Sequence, residues 1–325
     1  MPELTAPRFL HRLRRRGVLL LIGASILSVS LLAGCTPRQP HPLPPASQVS
    51  FGEGRLWQVD GAGSSSSYVF ATLREGDKRL IDLPDAVKTA FETSPTVALT
   101  TLRDPLVAEY FYDLEQLKLP EGEDLASLIG ARSYGTLTWH MKRSELRPKD
   151  NIRPWAFWYS MGGANWGFFD YSSYFDHRYD TVFTIWLASE ARRAGKQVLG
   201  LLSDQESFDL YNGMPLEQQA DLLRLRLDNY SDSTPEVAKV KLYLDGDLAT
   251  LDALWREYLN GLPPDTARGI DRRLIVDLNH VLVERMIPLM ESGPVFVAVD
   301  VLSVPGEEGV LRDLERRGYT ITRLH

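Results

Sequence analysis

The sequence predicts an α/β fold, with a central, mostly β-branched sheet, helices on both of its faces and a helical insertion. Three observations lead there. Apolar, β-branched runs alternate with segments of helical period along the chain, the order expected of a sheet covered on both faces. Residues 295–301 (VFVAVDV) are almost continuously apolar, as a strand buried on both sides should be. Between about 215 and 290 the periodicity is helical only, which marks the insertion. Composition agrees with a folded body. Of 325 residues, 44% are hydrophobic and 10% aromatic, too much apolar surface for a disordered chain. A single Cys excludes a disulfide scaffold. One long apolar run excludes a polytopic membrane protein. A net charge of −7 argues against nucleic acid as a partner.

Residues 1–34 stand apart from the fold. Arg8, Arg12, Arg14, Arg15 and Arg16 precede an apolar run over 18–32. Fifteen residues fall short of the roughly 20 needed to span a bilayer, and the order of basic, apolar and small residues is that of a secretory signal. The run ends Leu32-Ala33-Gly34-Cys35, which resembles the lipobox of bacterial lipoproteins. That resemblance implies cleavage before Cys35, a lipid on its sulfur and anchorage in the membrane. Thr36 in place of Asp implies the outer membrane of a Gram-negative bacterium, with the body facing the periplasm. Loss of residues 1–34, with five Arg and one Glu, takes the net charge from −7 to −11. An acidic body is repelled by anionic lipid, so the lipid must anchor it. Residues 35–52 carry Pro37, Pro40, Pro42, Pro44 and Pro45, an extended tether. The domain proper is expected over 53–325.

Within it, 55–59 and 68–73 read as strands joined by a turn over 61–67. Residues 84–93 read as a helix with Pro near its start, and 96–102 as a strand. Residues 124–145 read as a helix despite Gly130 and Gly135. Residues 180–194 read as a helix closed by Gly195, and 197–202 as a buried strand. Helices follow at about 215–229, 235–244, 247–260 and 268–290. The chain closes with strand 295–301, helix 307–317 and strand 319–323. Between 155 and 179 lie eleven aromatic residues. They either pack the helical part against the sheet or offer a face to a ligand or partner, with Trp155, Trp158, Trp166 and Tyr171 its candidates.

Familiar catalytic signatures are missing. Gly130-Ala-Arg-Ser133-Tyr-Gly135 is out of register for a nucleophile elbow and lies in a helical stretch. The loop Gly162–Gly167 lacks the Lys-Ser/Thr of a phosphate loop. No His pair has metal-ligand spacing, and Asp245-Gly246-Asp247 lacks the later ligands of a calcium loop.

The two ends of the domain carry a further pattern. The first is Leu56-Trp57-Gln-Val59, then Tyr68-Val-Phe-Ala71-Thr72-Leu73-Arg74-Glu75-Gly76-Asp77 and Leu83-Pro84. The second is Val297-Ala-Val-Asp300-Val-Leu-Ser303-Val-Pro305-Gly306, then Arg317-Gly318-Tyr319. Together they resemble the TraB/GumN family, related to the Tiki metalloproteases and more remotely to the erythromycin-esterase-like fold. The resemblance implies a metal-dependent hydrolase site built from two strand-end histidines and from glutamates of neighbouring strands. Here Gly-Thr-Ile-His reads Ala71-Thr72-Leu73-Arg74, and Gly-x-x-His reads Asp300-Val-Leu-Ser303. The expected glutamates fall at Thr100 and Leu202, and an expected arginine at Leu278. Arg74 has donors only and stays charged, so it repels a cation. The expectation is therefore a catalytically inactive binding or scaffold protein with no cofactor, its partner a periplasmic protein or small ligand. The alternative is a metal-dependent peptidase with a rearranged site using Asp300, Glu75 or Asp77 and a divalent metal. A small-ligand carrier, for haem as one candidate, is the lesser alternative. Arg74, at a strand end in the cleft, is placed to receive an anion such as a carboxylate.

Overall fold

A computed structural model describes residues 48–61, 65–75, 77–102, 115–143, 151–161, 183–228 and 236–325. Expectations for the signal segment, for Cys35 and most of the tether, and for Trp166 and Tyr171 lie outside these residues. Among them, six strands form one mixed sheet in the order β4-β3-β5-β2-β1-β6. The strands are β1 (Leu56–Asp60), β2 (Ser67–Thr72), β3 (Thr96–Leu99), β4 (Gln197–Gly200), β5 (Val295–Asp300) and β6 (Thr320–Arg323).

β1 and β2 are the expected hairpin, antiparallel with Val59 opposite Ser67. β6 adds to the far side of β1, also antiparallel. β2, β5, β3 and β4 run parallel. β5 sits between β2 and β3 and is buried from Val295 through Val299. Full burial of consecutive residues means that both of its faces are covered. The expectation for 197–202 needs correction. β4 ends at Gly200, with Gln197 exposed and the rest half-buried, because it is an edge strand paired only with β3. Strand 96–102 likewise stops at Leu99.

The helices are α1 (Asp85–Thr93), α2 (Leu125–Arg143), α3 (Pro154–Ser160), α4 (Phe183–Arg193), α5 (Asp204–Asn212), α6 (Leu216–Asp228), α7 (Glu236–Leu244), α8 (Leu248–Leu259), α9 (Pro264–Asp271), α10 (Leu278–Ser292) and α11 (Val310–Arg316). α2 kinks at Gly130, whose φ of 81° and ψ of 154° leave the helical region as only glycine does readily. The single helix expected over 268–290 is α9, a π-helical turn at Arg272–Asp277 and α10.

Two apolar cores result. One lies on the sheet, around Phe70, Val97, Phe296 and Val297, and takes in Phe183 and Leu187 of α4 and Leu282, Val283 and Met286 of α10. The other is built from helices, around Trp155 and Trp158 of α3, Phe208 of α5, Leu222 and Leu223 of α6, and Trp255 of α8. This second core does not coincide with the insertion expected over about 215–290: it also draws on α2 and α3, while α7, α10 and part of α8 pack in the sheet core. Ser50 joins the body ahead of β1: its hydroxyl donates to Glu307 at 2.7 Å, and its carbonyl accepts from Gly306 N–H at 2.7 Å.

Candidate functional site

The parallel strands end together along one edge of the sheet. Thr72 at the end of β2 lies opposite Asp300 at the end of β5, and Leu99 at the end of β3 lies opposite Ala298. Beyond this edge is a cleft with a cavity volume of about 160 Å³. Carboxyl ends of parallel strands are the usual place for ligands in open α/β sheets. Here β5, last of the parallel strands in the chain, returns to the middle of the order between β2 and β3.

The floor of the cleft is polar. Arg74 follows β2, Thr100 follows β3, and Asp300 closes β5; Ser303 lies in the 3₁₀ turn Val301–Ser303. Asp300 caps that turn, one carboxylate oxygen accepting from Leu302 N–H at 3.0 Å. Loss of hydration pushes the Asp300 carboxyl up to about 6, against the opposing pull of the Leu302 N–H and the Arg74 charge. Arg74 donates to the Tyr159 hydroxyl, and its guanidinium carbon stands 5.1 Å from the centroid of that ring. This fixes the charge at the cleft wall. The Thr100 hydroxyl is buried with no hydrogen-bond partner among the described residues.

The walls are apolar and come from the helical core. Trp158 and Tyr159 of α3, Tyr211 of α5 and Trp255 of α8 line one side, and Leu274, Ile275 and Leu278 another. Leu274 and Ile275 belong to the π-helical turn, a conformation that recurs at functional sites.

Of the residues singled out from sequence, Arg74, Thr100, Leu278, Asp300 and Ser303 meet in this cleft. Leu202 does not line it. The Leu201 and Leu202 N–H groups bond to the carbonyls of Leu99 and Thr100 at 2.7 and 2.9 Å, so the chain hugs β3 and the Leu202 side chain joins the sheet core. Of the two readings of the aromatic run, packing describes Trp155 and Trp158. Both rings are buried, at 0% exposure. The Trp155 indole donates to Asn212 at 3.1 Å, and that of Trp158 to the Tyr258 hydroxyl at 3.0 Å. They pack the helical core, and Trp158 also forms cleft wall. Sequence reasoning missed Tyr211, Leu274 and Ile275. No local pattern marks them, since their place depends on how α5 and the π turn pack.

The donors at this floor do not fit a divalent cation. They are one carboxylate and the hydroxyls of Thr72, Thr100 and Ser303, beside a guanidinium. A metal site draws on several carboxylate or imidazole lone pairs. Among the described residues no three His, Cys, Asp or Glu gather in a way that could hold a metal ion. Asp77 is engaged by Arg79, whose backbone N–H and guanidinium both donate to it. Glu75 lies outside the cleft lining. What the arrangement offers is a concave, largely apolar surface with a guanidinium, a carboxyl raised by burial to about 6 and a buried hydroxyl.

The model of the TraB/PrgY/gumN family matches residues 55–323. No curated protein and no solved structure matches the chain.

Proposed function

The chain belongs to the TraB/PrgY/gumN family, and from that premise we propose that it is a non-catalytic member, a lipid-anchored envelope protein that binds a small ligand or partner in the periplasm. One observation carries the loss of catalysis. The cleft stands at the strand ends where the family resemblance implies metal ligands, but it presents Arg74, Thr100 and Ser303. A permanent cation there disfavours a second one. The same cleft supports the binding role, because it is concave, largely apolar and supplied with a few polar groups. The anchor rests on the lipobox-like Leu32-Ala33-Gly34-Cys35 and the proline-rich stretch after it, with Thr36 favouring the outer membrane.

The test uses the full chain expressed in a Gram-negative host. It is expected in the outer-membrane fraction, and Cys35→Ala is expected to move it out of that fraction. The purified protein is expected to give the same thermal midpoint with EDTA, Mn²⁺, Co²⁺ or Zn²⁺. A metal bound only by the folded state at about 100 times its Kd would add about 2.7 kcal/mol, a shift of several degrees. A metal-induced shift with metal-dependent peptide hydrolysis that is lost in Asp300→Ala would overturn the non-catalytic reading.

A further inference from the structure

We infer that the segment Leu324–His325, which follows β6, is a latch on the start of β1 that opens on acidification, because only a neutral His325 can accept the hydrogen bond of the buried Arg55. The inference lies outside the cleft and does not depend on what binds there. Arg55 is 6% exposed. Among the described residues it forms no ion pair. Its guanidinium carbon stands 5.1 Å from the Tyr243 ring centroid, and one terminal nitrogen lies 2.7 Å from His325 Nε2. Its Nε has no hydrogen-bond partner among the same residues. A guanidinium carries donors only. Nε2 must therefore be the acceptor, which makes the imidazole neutral with its proton on Nδ1. Protonation removes that acceptor and sets a second cation against a buried one. His325 is itself exposed, so a proton reaches it without any opening of the fold.

Main-chain pairing defines what the latch holds. The His325 main-chain oxygen accepts from the N–H groups of Arg55 and Leu56 at 2.6 and 3.0 Å, and Leu324 N–H donates to the Leu56 carbonyl at 2.9 Å. Gly54 makes room for this approach: its φ is +106°, and a Cβ there would lie 2.8 Å from the His325 oxygen. Opening frees the Arg55 and Leu56 N–H groups at an edge of β1, where another strand can pair. The other charged groups at this corner are engaged. Glu53 pairs with Arg323 at 2.9 Å, and Asp247 caps α8 through Thr250. Tyr243 donates to the Ala71 carbonyl at 2.8 Å, and burial pushes its phenol further up from its ordinary value. A chain-terminal carboxylate titrates at roughly 3.5, below the range concerned. Loss of hydration, and then the Arg55 charge, lower the His325 imidazole from its ordinary 6.5. The closed form therefore binds fewer protons than the open one. The latch is at full strength above pH 6.5 and weakens as pH falls through the lowered value.

The experiment is hydrogen exchange of the purified full chain at pH 8.0 and pH 5.0, read by mass spectrometry and corrected for the pH dependence of the intrinsic rate. Peptides covering 53–58 report the latch, and peptides covering 295–300 report β5. The latch peptides are expected to lose about tenfold in protection at pH 5.0, the loss of one hydrogen bond to a charged group, while β5 keeps its protection. His325→Gln supplies an acceptor that does not titrate and is expected to abolish the difference. Arg55→Met removes the guanidinium and is expected to move the His325 titration, followed by the NMR signal of its ring, up toward the ordinary value. Equal protection at both pH values overturns the latch. So does a loss that persists in His325→Gln, or one shared with β5, which is unfolding of the whole domain. A His325 titration unmoved by Arg55→Met overturns it as well. His325→Gln changes an exposed residue, so the test stands even where Arg55→Met fails to fold.

Discussion

β5, at the centre of the sheet, and α3, in the helical core, are both buried, but by different routes. β5 is covered by apolar neighbours, and the ring of its own Phe296 meets Phe70 at 5.6 Å and Phe91 at 5.5 Å. Its backbone is paired on both sides, so none of its buried side chains needs a polar partner. α3 buries two indoles, and each must place an N–H. Trp155 stacks on Tyr211 at 5.6 Å and 18° while donating to Asn212. Trp158 donates to the Tyr258 hydroxyl, which burial pushes up to about 12. The cleft thus has a floor set by backbone pairing and a wall set by matched side-chain pairs. Shape and polarity can change on the wall with less disturbance to the fold than on the floor.

Truncation of the two cores is the strongest way to break that comparison. Phe296→Ala and Trp155→Ala should each cost about 3–5 kcal/mol, the usual loss for a buried aromatic. They are expected to unfold in a single transition, with tryptophan fluorescence and far-ultraviolet circular dichroism coinciding in urea. α8 supports this, giving Leu248 and Leu251 to the sheet core and Trp255 and Leu259 to the helical one. Leu302 packs against both. Separated transitions in Trp155→Ala would show that the helical core melts by itself.

Asp300→Asn sharpens the comparison at the floor. The Asp300 carboxyl is raised from 3.8 to about 6 on folding. A raised carboxyl favours the folded state while protonated. Its contribution is full below pH 3.8 and is lost as pH rises through about 6. Above pH 7 the buried charge therefore opposes folding, by up to roughly 3 kcal/mol for a shift of this size. Asn keeps the acceptor for Leu302 N–H and removes the charge. The variant is expected to be more stable than the parent at pH 7.5 by as much as that, and equal to it below about pH 4. A less stable variant at pH 7.5 would mean that attraction to Arg74 outweighs lost hydration.

How much of this was legible in the sequence depended on where the signal resided. β5 was readable to within a residue at its end, 295–301 against Val295–Asp300, because a strand covered on both faces is apolar throughout. The floor was readable because Pro305-Gly306 held the alignment that placed Asp300 and Ser303. Leu202 was misplaced because β4 ends early and the chain stays hydrogen-bonded to β3. The wall was mostly illegible. The aromatic run gave no sign of which rings would be inside, since an indole can lie on a surface or, with a partner for its N–H, in a core. The π turn that brings Leu274 and Ile275 to the cleft is a shift of one residue in helical pairing, invisible in periodicity. α5 was overlooked although its start is spelled out in Ser203-Asp-Gln-Glu206.

That start is a capping box, and it yields the smallest effect. The Ser203 hydroxyl accepts from Glu206 N–H at 3.2 Å, and Glu206 returns the bond to Ser203 N–H at 2.8 Å. Arg285 of α10 also donates to Glu206 at 2.8 Å. The Arg285 hydrogen bonds, with those of Ser203, hold the Glu206 carboxyl at about 2, below its usual 4.5. A depressed carboxyl stabilises the fold above its unfolded value and loses that contribution as pH falls from 4.5 through about 2. Both side chains are well exposed, at 38% and 45%, so solvent screens most of the attraction. Glu206→Gln keeps an acceptor for the cap and removes the charge. It should lower stability at pH 7 by under about 1 kcal/mol, with the deficit shrinking in 0.5 M salt and as pH falls below 4.5. A deficit unchanged by salt would assign the effect to cap geometry, and the contact between α5 and α10 would then owe little to the ion pair.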